Sequence, residues 1–516
     1  MNIRLPPAPI FFVLVFISPP SSGCEDSGRS VWIEEAGTVA RVLLKTPTQT
    51  QQLVEAARGE LLDVTHSRQG AAWSKWNGSD WDIQVWRAGH VQTLGRPGRD
   101  DGQPVIWEKG VAWISAHLMD VRVISRLWTG ESETLPGVLA ENLASRARGL
   151  SWVSWSPRGP KAWLFDEQGA RQVQPEAPPL EASRAEEGIE SDSSEWTALW
   201  APIGTHGPPL PRTTHATVQV ATERLVVFGG EVWDESCTQF LGLDNVLWTL
   251  DLVNGKWVQT APEPSPSKRC HTPLAIDPTR RLALLWGGAG LNTNGEIELL
   301  DDTWLLDTTA LRWTEVSTSV QPKAGADAGL VHDPTADRFL LFRRGEVWEF
   351  QTAEKRWVKL DISPGPPPRE AVTVALDPTT RKVLFFGGNA GSRYFEDTWI
   401  LDLSTAEWRE IRNGPHPSAR VRVAHALDRE RRIVALYGGV LGPYSSRKSD
   451  LWVFDFESER WSLAICQGSV SPGPRGGFHG MGFDPSSGVF TLFGGRSDSV
   501  RHHNDVWRLK LERRSR

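Results

Sequence analysis

Leu384-Phe-Phe-Gly-Gly388, with Pro368-Arg369 before it and Trp399, Asp402 and Trp408 after it, is the stretch whose reading decides the fold. It is an apolar run closed by two glycines, then a tryptophan, an acidic turn and a second tryptophan. The same order recurs from residue 196 onward. Arginine turns open the units at Pro211-Arg212-Thr-Thr-His215, Lys268-Arg269-Cys-His271, Ala419-Arg420 and Pro474-Arg475. Apolar runs ending in Gly-Gly follow at Val226–Gly230, Leu284–Gly288, Ala435–Gly439 and Thr491–Gly495. The first tryptophans are Trp248, Trp304, Trp348, Trp399, Trp452 and Trp507, spaced by 56, 44, 51, 53 and 55 residues.

A second tryptophan stands nine residues after five of these six, at Trp257, Trp313, Trp357, Trp408 and Trp461. An aspartate lies three residues after the first tryptophan (Asp251, Asp307, Asp402, Asp455), with Gln351 in the third unit. The constant spacing predicts a hairpin of fixed register around a short polar turn, preceded by a loop free to vary. The paired glycines suit a strand end approached closely by neighbouring backbone.

These elements resemble the kelch repeat, with its Gly-Gly pair, Asp-x-Trp element and later tryptophan at a period of ~50 residues. The resemblance covers about residues 196–511 and implies an all-β fold, a kelch-type β-propeller of six blades. The third repeat departs from the pattern, because Arg343-Arg344 replace the glycines and the following loop is nearly absent. That blade is expected to be present but degenerate. The sixth repeat lacks its closing tryptophan, whereas Glu195-Trp196-Thr-Ala-Leu-Trp-Ala-Pro202 resembles the last strand of the first repeat. The N-terminal strand around Trp196 is therefore expected to complete the sixth blade and to protect two sheet edges.

A different repeat occupies the N-terminal third. Gly70-Ala-Ala-Trp73, Gly110-Val-Ala-Trp113 and Gly149-Leu-Ser-Trp152 are 40 and 39 residues apart. Each is followed by further strand signals, and Val31–Leu43 looks like half of one more unit. The expectation is a smaller propeller-like β region of about three and a half blades over residues 24–173. An acidic Pro- and Ser-rich linker, 174–194, then leads into the six-bladed unit, 195–516.

Residues 1–23 read as a signal peptide, with Arg4 before the apolar run Ile10–Ile17 and small residues after it. Eight apolar residues are too few to cross a hydrocarbon layer ~30 Å thick. Cys24 after Ser21-Ser22-Gly23 resembles the lipobox of bacterial lipoproteins and would carry the lipid, although Ser21 stands where that motif prefers Leu. Export as a cell-envelope lipoprotein (periplasmic or outer-surface), or else secretion, is expected. Cys237 and Cys270 are a candidate disulfide pair, the alternative being that Cys237, Cys270 and Cys466 are small buried residues.

The chemistry is less legible. With 56 basic and 63 acidic side chains and a net charge of −7, no basic stripe marks a nucleic-acid binder. No nucleophile elbow, phosphate-cradling loop or His-Glu-x-x-His element is present, so no catalytic residue, metal or cofactor is assigned. The equivalent residues Arg212, Arg269, Arg369, Arg420 and Arg475 are the ligand-binding candidates, since a ring of guanidinium groups near the axis suits an anionic sugar or carboxylate. The competing reading is that each satisfies loop carbonyls and packs on a neighbouring blade. His215, His271, His425 and His479, which recur near them, are expected to pack rather than bind metal. Trp233, in the loop Glu231-Val-Trp-Asp-Glu-Ser236, is the candidate stacking surface.

The expected function is a non-catalytic binding module at the bacterial envelope. It would present the variable loops Glu231–Asp244 and Ala289–Asp301 to a protein or glycan partner. The alternative is a carbohydrate-active enzyme of the mutarotase or epimerase kind, using an arginine-lined axial pocket.

Overall fold

The computed structural model describes residues 30–173 and 195–514, with interruptions of up to six residues. The signal peptide, Cys24 and the linker 174–194 lie outside the described residues. Every described element is a β-strand, and the chain forms two compact units, the first ending at Glu176 but also including Gly391–Arg393 and the second taking the rest.

In the first unit four antiparallel sheets follow one another. Ser30–Ala36, Val39–Lys45 and Thr50–Ala57 form a three-stranded sheet, and three four-stranded sheets span Leu61–Leu94, Asp100–Thr134 and Glu141–Val173. Each is a meander in chain order, as short strands joined by tight turns dictate. The repeated glycine has a steric reason at Gly70, where a Cβ would lie 2.3 Å from the Trp86 carbonyl oxygen. Apolar residues from successive sheets interdigitate, with Ala72, Ile83 and Val85 packed against Ile106, Val111 and Trp113.

In the second unit each repeat forms one main sheet, and Arg212–Thr213, Glu231–Trp233 and Phe240–Leu243 of the first repeat make a separate three-stranded one. The first repeat pairs Ala216–Ala221, Arg224–Phe228, Leu247–Asp251 and Lys256–Thr260. The hairpin register is the one the tryptophan spacing predicts: Leu250 lies opposite Trp257, Leu306 opposite Trp313, and Leu401 opposite Trp408. The aspartate after the first tryptophan builds the turn, as Asp307 Oδ1 accepts the backbone N–H groups of Thr309 and Ala310, both at 2.8 Å.

The third repeat is a full four-stranded sheet, Gly329–Asp333, Arg338–Arg343, Glu346–Gln351 and Arg356–Leu360. Its degeneracy is confined to the strand ends. Gly325 occupies the arginine position, and the Arg343 guanidinium crosses from the opposite strand to fill that space, donating to Ala324 O at 2.8 Å.

In the last sheet Gly480–Asp484, Val489–Phe493 and Val506–Arg513 are joined by Trp196–Ile203, which runs antiparallel to Val506–Arg513 from Trp196↔Arg513 to Ile203↔Val506. The first strand of each sheet neighbours that of the next, and Gly480–Asp484 neighbours Ala216–Ala221. Six backbone bonds repeat this cycle: Gly230, Gly288, Arg344, Gly388, Gly439 and Gly495 each donate N–H to a carbonyl of the following repeat, the last to Arg212 O at 3.2 Å.

The core lies between sheets, not within them. Val226, Phe228 and Leu247 pack on Leu285, Trp304 and Trp313, while Phe493 and Val506 pack on Leu225, Val227 and Trp257. Side chains alternate across a strand, so each sheet buries both faces against its neighbours. Each buried indole contributes roughly 2–3 kcal/mol, and its N–H is often tied across the gap. Trp357 Nε1 donates to Thr303 Oγ1 at 2.9 Å, and Trp461 Nε1 to Thr398 Oγ1 at 3.0 Å.

Candidate functional site

The five repeat arginines are consumed by the framework. The Arg420 side chain is fully buried; it donates to both carboxylate oxygens of Asp450 at 2.7 and 2.8 Å, to Gly438 O at 3.1 Å and to Ser418 O at 2.9 Å. Arg212, Arg269, Arg369 and Arg475 repeat this with Asp244, Asp302, Asp397 and Asp505, each also reaching the first glycine carbonyl of its repeat. In the last four repeats with the pair, the carboxylate also accepts an indole N–H, as Asp450 does from Trp452 at 2.7 Å. The expectation of a ligand-binding arginine ring is thus corrected, because a buried guanidinium held by a carboxylate has no face left for a ligand.

The candidate disulfide is corrected too. Cys237, Cys270 and Cys466 are free thiols. Cys237 Sγ lies 3.3 Å from both the N and the O of His502, and Cys270 Sγ lies 3.6 Å from Ala289 O. Trp233 is half-buried and already stacked on the His502 ring, 4.3 Å away at 14°, with Phe240 tilted against it. One face of the expected stacking surface is therefore occupied from within the chain.

The innermost strands enclose an axial cavity of about 1000 Å³. Its arginines are Arg224, Arg281, Arg422 and Arg429, none of the five singled out from the sequence. At the starts of the strands its rim is built by the residues two after each repeat arginine position, Thr214, His271, Asp327, Ala371 and Arg422, with Gly477 at the corresponding position of the last repeat. All six have positive φ, between 54° and 86°, and this left-handed turn directs successive chains around the rim. His271 N–H donates to Thr214 O at 2.9 Å, Asp327 N–H to His271 O at 3.0 Å, and Ala371 N–H to Asp327 O at 2.8 Å.

A charged cluster sits on this rim. His271 Nδ1 is 2.6 Å from Asp327 Oδ1, its Nε2 is 3.6 Å from Glu231 Oε1, and Arg422 Nη2 is 3.9 Å from Asp327 Oδ2. Burial opposes charging of His271, but the Asp327 and Glu231 carboxylates outweigh it and push its pKa up to about 9. Burial likewise works against Asp327 and Glu231, and His271 with Arg422 nevertheless holds both below the usual carboxylate range. Burial pushes the Cys270 thiol up, and the same two carboxylates add to it. The cluster is a balanced set of two cations and two anions that can orient a polar ligand or exchange a proton.

The recurring histidines do not share a position. His215 packs on Phe493 at 5.1 Å and His425 Nε2 lies 3.0 Å from Val374 O, as expected of packing residues, whereas His271 faces the rim; His479 lies outside the described residues. Among the described residues two sets of side chains converge closely enough to hold a metal: Glu231, Cys270 and His271, and Asp277, His332 and Asp337. In the second set Arg280 already bridges Asp277 and Asp337.

The cyclic inter-sheet core and the once-per-repeat Arg–Asp pair define a β-propeller built on a short repeat. Residues 335–515 match the KLHDC2/KLHL20/DRC7 Kelch-repeats domain, so this part of the chain carries kelch repeats. An F-box/kelch-repeat protein of Arabidopsis thaliana is 28% identical over 340 residues, 57% of this chain and 67% of that protein. Multiple epidermal growth factor-like domains protein 8 of Mus musculus is 24% identical over 157 residues, 29% of this chain and only 6% of that relative. The solved structure of YjhT aligns with a TM-score of 0.45 and 13% identity over 58% of this chain and 95% of that one.

Proposed function

We propose that residues 195–514 form a six-bladed propeller closed by the strand Trp196–Ile203, and that the protein is a non-catalytic binding module exported to the bacterial envelope. The cyclic order of neighbouring sheets supports the blade count, and the antiparallel pairing of Trp196–Ile203 with Val506–Arg513 supports the closure. The lipobox-like Cys24 supports the location.

One observation carries the functional reading. The long loops of the first two repeats join, with Leu243 and Leu299 packed around Cys270, Ala289 and Ala326. Together they present Phe240, Leu241, Leu291 and Ile297 to solvent, each between 46% and 49% exposed. The same two loops carry the exposed Glu235, Glu296, Glu298 and Asp301, and neither contains Lys or Arg. An exposed apolar patch rimmed by charge on a rigid scaffold is the signature of an interaction surface. A protein partner fits this patch better than a glycan, because exposed aliphatic side chains offer sugars few hydrogen bonds.

The test is affinity capture from envelope extracts, together with a glycan array, using the wild type and a Phe240→Ser/Leu241→Ser/Ile297→Ser variant. Loss of a saturable partner in the variant supports the reading, and undiminished capture overturns it. A second reading, catalysis in the axial cavity, has the His271–Asp327–Glu231–Arg422 cluster in its favour, although the arginines first assigned to it lie elsewhere.

A further inference from the structure

We propose that Glu231, Cys270 and His271 form a binding site for a divalent transition-metal ion of the zinc type. Their carboxylate oxygen, thiol sulfur and imidazole nitrogen all lie within 4.8 Å of one another. A mixed sulfur, nitrogen and oxygen set suits a borderline ion such as Zn²⁺ and excludes the all-oxygen preference of Ca²⁺ and Mg²⁺.

The surroundings are those of a supported site. Asp327 occupies His271 Nδ1 at 2.6 Å, which leaves Nε2, on the Glu231 side of the ring, as the ligating atom. A carboxylate behind a ligating histidine fixes its tautomer and orientation and raises its basicity. Arg422 lies behind Asp327 and balances that outer charge. All three donors stand on paired backbone. Cys270 exchanges two hydrogen bonds with Ala289 at 2.9 and 2.8 Å, His271 N–H donates to Thr214 O, and Glu231 pairs with Thr213 and Leu243.

Charge and coordination both close. The Glu231 carboxylate and the Cys270 thiolate neutralise a dication, while Cys270 and His271 each release a proton to solvent as the metal binds. Three protein ligands leave a fourth position for a water or small ligand, and of the three His271 lines the axial cavity. The metal would also tie the start of the loop Glu231–Asp244 to the second repeat. This inference stands apart from the partner reading, since neither Phe240 nor Ile297 takes part.

The test is titration of the full chain with Co²⁺ in a background where Cys24, Cys237 and Cys466 are replaced by serine. One equivalent of Co²⁺ should produce a sulfur-to-cobalt charge-transfer band in the near ultraviolet, and Zn²⁺ should bleach it. Cys270→Ser should abolish the band, and Asp327→Asn should weaken binding about 10–100-fold. Far-ultraviolet circular dichroism checks folding. Should Cys270→Ser misfold, Glu231→Gln on the loop replaces it, with reduced affinity expected. No band in the background protein, an unchanged band in folded Cys270→Ser, or unchanged affinity in Glu231→Gln would each overturn the proposal.

Discussion

Replacing Asp450 by alanine puts the Arg–Asp framework to its hardest test. Arg420 is fully buried and donates to both Asp450 oxygens at 2.7 and 2.8 Å, so the substitution strands a guanidinium in the interior. Removing one partner of a buried pair costs about 3–5 kcal/mol, because the remaining charge keeps its desolvation penalty. Trp452 Nε1 also loses its acceptor at 2.7 Å, and an orphaned buried donor adds about 1–3 kcal/mol. Urea unfolding followed by tryptophan fluorescence reads the loss, with the transition of residues 177–516 fitted separately from that of the preceding unit. The Arg420→Met/Asp450→Leu double variant should lose less than Asp450→Ala, since no charge is left buried. It should not return to wild type, because Gly438 O and Ser418 O lose their donor. Glu512→Ala, which breaks the solvent-exposed pair with Lys510, should leave the midpoint unchanged. A loss below about 1 kcal/mol for Asp450→Ala would refute the framework reading, since only a buried pair carries the larger penalty.

Gly438→Ala should destabilise the same unit by more than about 2 kcal/mol, since left-handed backbone alone costs about 1–2 kcal/mol for other residues and the new Cβ would meet Arg475 O at 2.4 Å; Gly468→Ala, with positive φ but open space around it, should cost less. Alkylation of the unfolded chain without reductant should label Cys237, Cys270 and Cys466, and mass spectrometry finding a linked 237–270 peptide pair would contradict the free thiols. His503 is pushed down to about 4 by burial and by Arg475. Its unfolded form takes up a proton near pH ~6.5 while the folded form resists. Stability from this residue is therefore complete above that pH and is lost as pH falls toward about 4. His503→Gln should flatten the pH dependence of the urea midpoint across that window, and an unchanged slope would count against it. Arg343→Gly, which restores the glycine of the other repeats, should destabilise the third repeat, since no arginine stands at Gly325 to fill the space.

The readable part of the fold was what one strand and its turn decide. Nine residues between tryptophans allow one hairpin register, and that register is seen at Leu250↔Trp257 and Leu401↔Trp408. The sequence leaves the arginines open between a framework and a ligand role because their partners lie about 30 residues away along the chain, in what reads as loop. A signal did exist within the repeats. The third repeat lacks the arginine and also carries Glu346, bonded by Trp348 and Lys359, where the second, fourth, fifth and sixth repeats have aspartate and the first has Asp244 two residues earlier. The two residues are lost together, which marks them as partners. His271 was hidden by its phase: it stands two residues after its arginine, His215 three and His425 five, so their recurrence was not equivalence.

By itself the sequence determined the repeat, its all-β hairpins, the positions that must be glycine and the strand left over at residue 196. These follow from local rules of alternation, turn chemistry and left-handed backbone, which act over a few residues. Only the tertiary structure decided which charges are spent on the framework and which remain on the cavity rim. Glu231, His271, Asp327 and Arg422 come from four different repeats; the last three stand two residues after the repeat arginine position, but that position holds a different residue in every repeat, so the repeat pattern does not mark them as a cluster. A charge has meaning only through what lies within a few ångströms of it, and between packed sheets those neighbours come from distant parts of the chain.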